Sequence, residues 1–205
     1  LEVAPLIRTA FSEAPGYGLN LATTAMGHAS LQQWCVWIEP AVGDQPDRWE
    51  QRWLTAVRTA LDTWSGHLPV VRVSVQEQAH VQLLRQRPPR QPTKSGWRAS
   101  NGRSRLQLVE VRRQGVWRFE PKVTVLVSPE LRSPVLQATA LHELGHAFGL
   151  WGHSPVPTDA LAVSQGEHPV LVLSERDRLT LTWVLQQTTR FGSTIRQSIE
   201  PAELE

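Results

Sequence analysis

Three histidines and one glutamate within twelve residues, His142, Glu143, His146 and His153, are the side chains here whose types and spacing could do chemistry. On a helix, residues four apart share one face with Cβ atoms about 5–6 Å apart, so His142 and His146 can both reach one ion at Zn–N distances of about 2.0–2.1 Å. Glu143, directly after the first imidazole, can take a proton from water in the ion's open position. Zinc lowers the pKa of such a water toward about 7 and polarises a carbonyl as a Lewis acid. The spacing therefore predicts one catalytic Zn2+ and attack of water on a carbonyl carbon, with Glu143 as general base.

The elements that must position these groups follow from their neighbours. A helix is expected over about 133–148, with Ser133 as N-cap and Pro134 at N1. Gly149 is expected just past its end, where glycine accepts the left-handed conformation and lets the chain turn. A third donor must then come from the turn, where His153 and Asp159 are the candidates and His168 is more distant. His153 ranks first, because imidazole is a common zinc donor and it lies only four positions after Gly149. Gly152 is expected to supply backbone freedom for that turn, and Asp159 to act as a turn-stabilising carboxylate near the ligands.

The run from His142 to His153 resembles the metzincin motif HExxHxxGxxH, and His153-Ser154, Pro157 and the turn at Asp159-Ala160-Leu161 resemble its matrixin branch. Two departures are visible: three residues rather than two separate Gly149 from His153, and Leu161 stands at the Met-turn position, the only methionine being Met26. Gly152, where snapalysin-like enzymes carry a ligand aspartate, has no side chain to donate. The resemblance implies a zinc endopeptidase with His142, His146 and His153 as ligands and a protein or peptide as substrate. It also implies an α+β fold: a twisted mixed five-stranded sheet, two long helices, a zinc cleft, and a small C-terminal subdomain ending in a helix. Matrixins hold structural zinc and calcium in a loop that here lacks His, Asp and Glu from 85 to 109, so neither ion is expected. Astacin-like help from a tyrosine is not expected either, since the only one is Tyr17.

Composition is compatible with this reading. The chain's 205 residues, 40% apolar and 20% charged, suffice for one substantial core, so 1–205 is expected to form a single catalytic domain and a monomer. No apolar run of about 18 residues predicts a membrane span. The start at Leu1 fits a mature form of a secreted or periplasmic protein. Cys35 excludes an internal disulfide and is expected to be a small buried hydrophobe in a strand.

In chain order, 1–30 reads as an irregular arm, 31–153 as an upper subdomain and 154–205 as a lower one. Strands are expected at 34–39, around Val71 to Val75, at 81–84, 105–112 and 122–127; Gln114-Gly115 connects the last two. Helical spacing from Asp47 to Ser65 predicts an amphipathic helix whose tryptophans, Trp49 included, face the core. Ser174-Glu175-Arg176-Asp177 predicts the start of a final helix running to about Gln187. Residues 85–118 hold ten basic side chains against Glu110 alone, and 86–104 read as a solvated loop. Two further classes fit parts of the sequence: a catalytically silent zinc-binding module, and a polyanion-binding protein built on those arginines, although nucleic acid is not the expected partner.

Overall fold

The computed structural model describes residues 14–94, 96–98, 100–164 and 168–195. Its elements run β1 (Trp34–Ile38), α1 (Arg48–Ser65), β2 (Val70–Arg72), β3 (Val81–Leu84), β4 (Gln91–Thr93), β5 (Gly96–Arg98), β6 (Gly102–Arg113), β7 (Val116–Val127), α2 (Ser133–Ala147) and α3 (Glu175–Gln186). Five strands form one sheet in the order β2-β1-β3-β7-β6. All neighbours are parallel except β6, which runs antiparallel to β7 at one edge. Among the described residues the fold is α+β, with a mostly parallel five-stranded sheet and three helices.

Helix α1 starts where Asp47 accepts hydrogen bonds from the amides of Trp49 and Glu50 while the Glu50 side chain accepts from the Asp47 amide. This reciprocal cap satisfies donors that the first turn leaves orphaned. Trp53, Val57, Ala60, Leu61 and Trp64 recur at helical spacing and are fully buried. Two indoles add direction: Trp53 Nε1 donates to Val127 O (3.1 Å), at the end of β7, and Trp64 Nε1 donates to Leu141 O (2.9 Å), in α2. Trp49 departs from expectation, at 49% exposure: it shares the stripe but sits in the first turn of the helix, where the guanidiniums of Arg48 and Arg52 cover its ring.

Helix α2 is buried on most sides, with Leu136, Ala140, Leu141, Leu144 and Ala147 in the core. Arg132, not Ser133, is its N-cap, and no side chain caps it. The proline in the first turn lacks the amide that would otherwise need a partner. After Phe148, Gly149 takes φ +107°, the left-handed exit expected of it. The cap of α3 is also as expected, with Ser174 and Asp177 satisfying each other's amides.

Other boundaries moved for local reasons. β2 stops at Arg72, and Val75 is 44% exposed ahead of a 3-10 turn, so the alternation at Val71, Val73 and Val75 overstated the strand. β6 and β7 are longer than expected because Gln114 and Gly115 both have positive φ (50° and 82°), making a two-residue turn that pairs Arg113 with Val116. The presumed loop 86–104 contains an antiparallel pair, β4 with β5. Residues 14–30 are irregular apart from a 3-10 turn at Gly18–Asn20, yet Tyr17, Ala29 and Leu31 join the same core cluster as α1, α2 and α3. Among the described residues no helix is long and apolar enough to cross a membrane.

Candidate metal centre and cleft

His142 and His146 leave successive turns of α2 on one face, and their Nε2 atoms lie 3.2 Å apart. His142 Nδ1 donates to Ala160 O at 2.9 Å and His146 Nδ1 donates to Leu150 O at 2.7 Å. A carbonyl can only accept, so each ring carries its proton on Nδ1 and turns an Nε2 lone pair toward the other ring. Burial holds both imidazoles neutral: His142 is pushed down to about 4 and His146 to about 3, and the neighbouring histidines add to the effect. Two lone pairs facing each other across 3.2 Å repel, and a cation between them removes that repulsion. Two nitrogens on a tetrahedral ion with bonds of about 2.0–2.1 Å would stand about 3.3–3.4 Å apart, so the spacing fits a metal.

His153 completes the set. Its ring lies 5.2 Å from that of His142 and 4.9 Å from that of His146, centroid to centroid. One ligand atom from each of the three histidines lies within 4.8 Å of the others, so the cluster could hold a metal ion. Burial lowers the pKa of His153 too. Asp159 is outside the cluster: it is 1% exposed and accepts from Ser154 Oγ (2.5 Å) and Arg176 Nε (3.0 Å), holding the turn together. His168 is exposed and outside the cluster. Leu161 is fully buried directly below the ligand helix, where a Cβ on Gly145 would come within 2.5 Å of its Cδ2.

The turn that presents His153 rests on the N-terminal arm. Ala22 N donates to Trp151 O (2.8 Å), and Asn20 Nδ2 donates to His153 O (3.2 Å). A Cβ on Gly152 would fall 2.2 Å from Asn20 O. Glycine is therefore required at 152 for close approach of two backbones rather than for the backbone freedom expected of it, since its φ is not positive.

Glu143 lies beside the histidines at 8% exposure, in a cleft of about 530 Å³ that is also lined by Arg103, Ser104, Trp151 and His153. Burial raises its carboxyl to about 7, against the Ser104 hydroxyl, which lies 2.7 Å from Oε2, and the charge of Arg103. Ser104 and Arg103 were not singled out from the sequence. Their signal was the edge strand expected at 105–112, which in fact begins at Gly102 and passes the helix closely enough that a Cβ there would meet Glu143 Cγ at 2.6 Å. The Trp151 ring stacks on His146, with 5.7 Å between centroids. Comparison with known protein families and with curated proteins finds no match for this chain.

Proposed function

We propose that the protein is a zinc-dependent endopeptidase of metzincin-like, matrixin-like design, with His142, His146 and His153 as ligands of one catalytic Zn2+ and Glu143 as general base. The observation that carries this reading is the facing pair of neutral Nε2 atoms beside a buried carboxylate. Zinc, when bound, supplies Lewis-acid polarisation of the scissile carbonyl and acidifies water.

The chain's own residues do the rest. Ala160 O and Leu150 O fix the tautomers that aim both nitrogens inward. Ser104 holds Glu143 Oε2, leaving Oε1 to accept the proton of the attacking water and pass it to the leaving amine. A carboxyl pKa near 7 suits a group that must both take and return a proton at neutral pH. A metal-binding module without catalysis has no use for a carboxylate placed beside the three histidines and lining the same cleft, and this favours the enzyme reading over the silent one.

The test is Glu143→Ala, assayed for bound zinc and for chelator-sensitive cleavage of an unfolded protein. Zinc should be retained while cleavage falls by about two to four orders of magnitude. Cleavage at the parental rate would refute the mechanism.

A further inference from the structure

The arginine-rich stretch is divided by the fold among separate tasks. Arg85 pairs with Glu50 (2.7 Å), Arg87 with Glu130 (3.4 Å), and Arg103 lines the cleft. Arg112, Arg113 and Arg118 instead gather around a second cavity of about 730 Å³ at the far end of the β6–β7 hairpin. Arg103 and Arg113 are ten residues apart on β6, roughly 33 Å of extended strand, so this cavity is remote from the metal centre.

Its floor is a buried polar cluster. Glu120, 5% exposed, accepts from Arg113 Nε (2.7 Å to Oε1) and Nη2 (2.6 Å to Oε2), and from His80 Nε2 (3.1 Å). His80 Nδ1 accepts from the Cys35 amide at 2.9 Å, so its proton sits on Nε2, where Glu120 can receive it. Glu120 thus neutralises one guanidinium and fixes it in place. The register pairs Val111 with Arg118 and Arg113 with Val116, so Arg113, Arg118 and Glu120 share one face of the hairpin.

The other two guanidiniums are held by carbonyls, which position them without cancelling their charge. Arg118 Nη1 donates to Gly192 O (2.6 Å), and Arg112 Nε donates to Gly115 O (3.3 Å). Among the described residues neither meets a carboxylate, and both nitrogens of the Arg112 terminus, Nη2 of Arg118 and Nη1 of Arg113 make no hydrogen bond. Two guanidiniums, Arg113 and Arg118, against the one carboxylate of Glu120 leave one positive charge on this face of the hairpin, beside Gln32, Gln33 and Gln78, while Arg112, paired with Trp117, belongs to the opposite face. Cys35, expected to be buried, is half-exposed and opens onto the same space.

We infer that this cavity is a binding site for a small organic anion bearing carboxylate or phosphate groups. Guanidinium forks match both groups with paired hydrogen bonds, and the volume lies within the roughly 300–1,000 Å³ typical of small-ligand sites. The inference is independent of the peptidase reading.

The test is an NMR titration of the full chain with succinate and, separately, inorganic phosphate, against sodium chloride at matched ionic strength. Saturable shifts are expected at the Nε–H signals of Arg113 and Arg118 and at the Cys35 amide. The preferred probe shows whether carboxylate or phosphate is the better ligand. Arg118→Ala should weaken binding about 10–100-fold, the effect of losing one charge-assisted contact. Arg118→Lys should fall between, and His142→Ala should leave binding intact. Non-saturable shifts, shifts equalled by chloride, or an unchanged affinity in Arg118→Ala would overturn the proposal. So would a tenfold tighter binding when Glu200, Glu203 and Glu205 are all changed to Gln, which would make the chain's own acidic stretch the occupant.

Discussion

Replacing Tyr17 by phenylalanine isolates one hydrogen bond that ties the N-terminal arm to the metal centre. The ring is 2% exposed in the core, so phenylalanine keeps the packing and removes only the hydroxyl. That hydroxyl donates to Asp177 Oδ1 at 2.6 Å. Burial and the adjacent carboxylate push its pKa above the usual tyrosine value, so it remains a donor at any working pH. Asp177, fully buried, uses its other oxygen to accept from the amides of Ala160 and Ser174, both at 2.9 Å. Ala160 in turn receives the Nδ1 proton of His142. A hydrogen bond to a charged group contributes about 1.5–3 kcal/mol, and Tyr17→Phe also strips Oδ1 of its one partner among the described residues, so the upper half of that range is expected. For a chain of this size, about 2–3 kcal/mol lowers Tm by roughly 4–12 °C. Calorimetry on metal-free and zinc-loaded protein should show the drop in both forms. Zinc affinity, read by competition with a chelator, should fall by less than about tenfold, because His142 is reached only through Ala160. A Tm within about 1 °C of the parent would refute the reasoning.

Three further outcomes are expected. His153→Ala should lose bound zinc far more severely than Asp159→Ala, which should mainly lower Tm, because Asp159 is engaged by Ser154 and Arg176; the reverse order in metal analysis would exchange their roles. Leu161→Met should cost less than about 1.5 kcal/mol, whereas Leu161→Asn, which places an amide against α2 in a dry site, should cost about 1–3 kcal/mol and weaken zinc binding; equal denaturation midpoints for the two would show that the contact is not tight. Burial would raise the Glu120 carboxyl, but hydrogen bonds and charge from His80 and Arg113 outweigh it and hold the group at about 2. A depressed folded pKa contributes stability above the unfolded value of about 4.5 and loses it as pH falls toward 2, so the stability gap between the parent and Glu120→Gln should be about 2–3 kcal/mol at pH 7 and shrink through that window in urea titrations.

Much of the frame was legible because its causes are local. The capping signatures at Asp47 and Ser174, the helical spacing of Trp53, Val57, Leu61 and Trp64, and the alternation in β3, β6 and β7 act over a few residues, and each produced the expected element. The pairing of His142 with His146 has the same local origin. What depends on distant partners was not legible. Nothing near Tyr17 or Asn20 in sequence points to Asp177 or His153, more than 130 residues away. The close approach at Gly152 and the Ser104 contact to Glu143 are likewise products of packing. Cys35 was misjudged because residue type was given more weight than its sheet face, and Trp49 because its place in the first turn of the helix was not weighed against its place on the stripe.

The three clustered histidines therefore depend on three different supports. His146 is oriented within its own helix exit, through Leu150 O. His142 is oriented by the turn at Ala160, which Asp177 holds from α3 and Tyr17 holds from the arm. His153 is presented by a turn whose carbonyls at 151 and 153 bond to Ala22 and Asn20. The three residues between Gly149 and His153 lie against the arm, with Gly152 on the Asn20 carbonyl. An ion shared by the three imidazoles would thus link arm, ligand helix and C-terminal helix, and its binding energy would count toward the stability of all three.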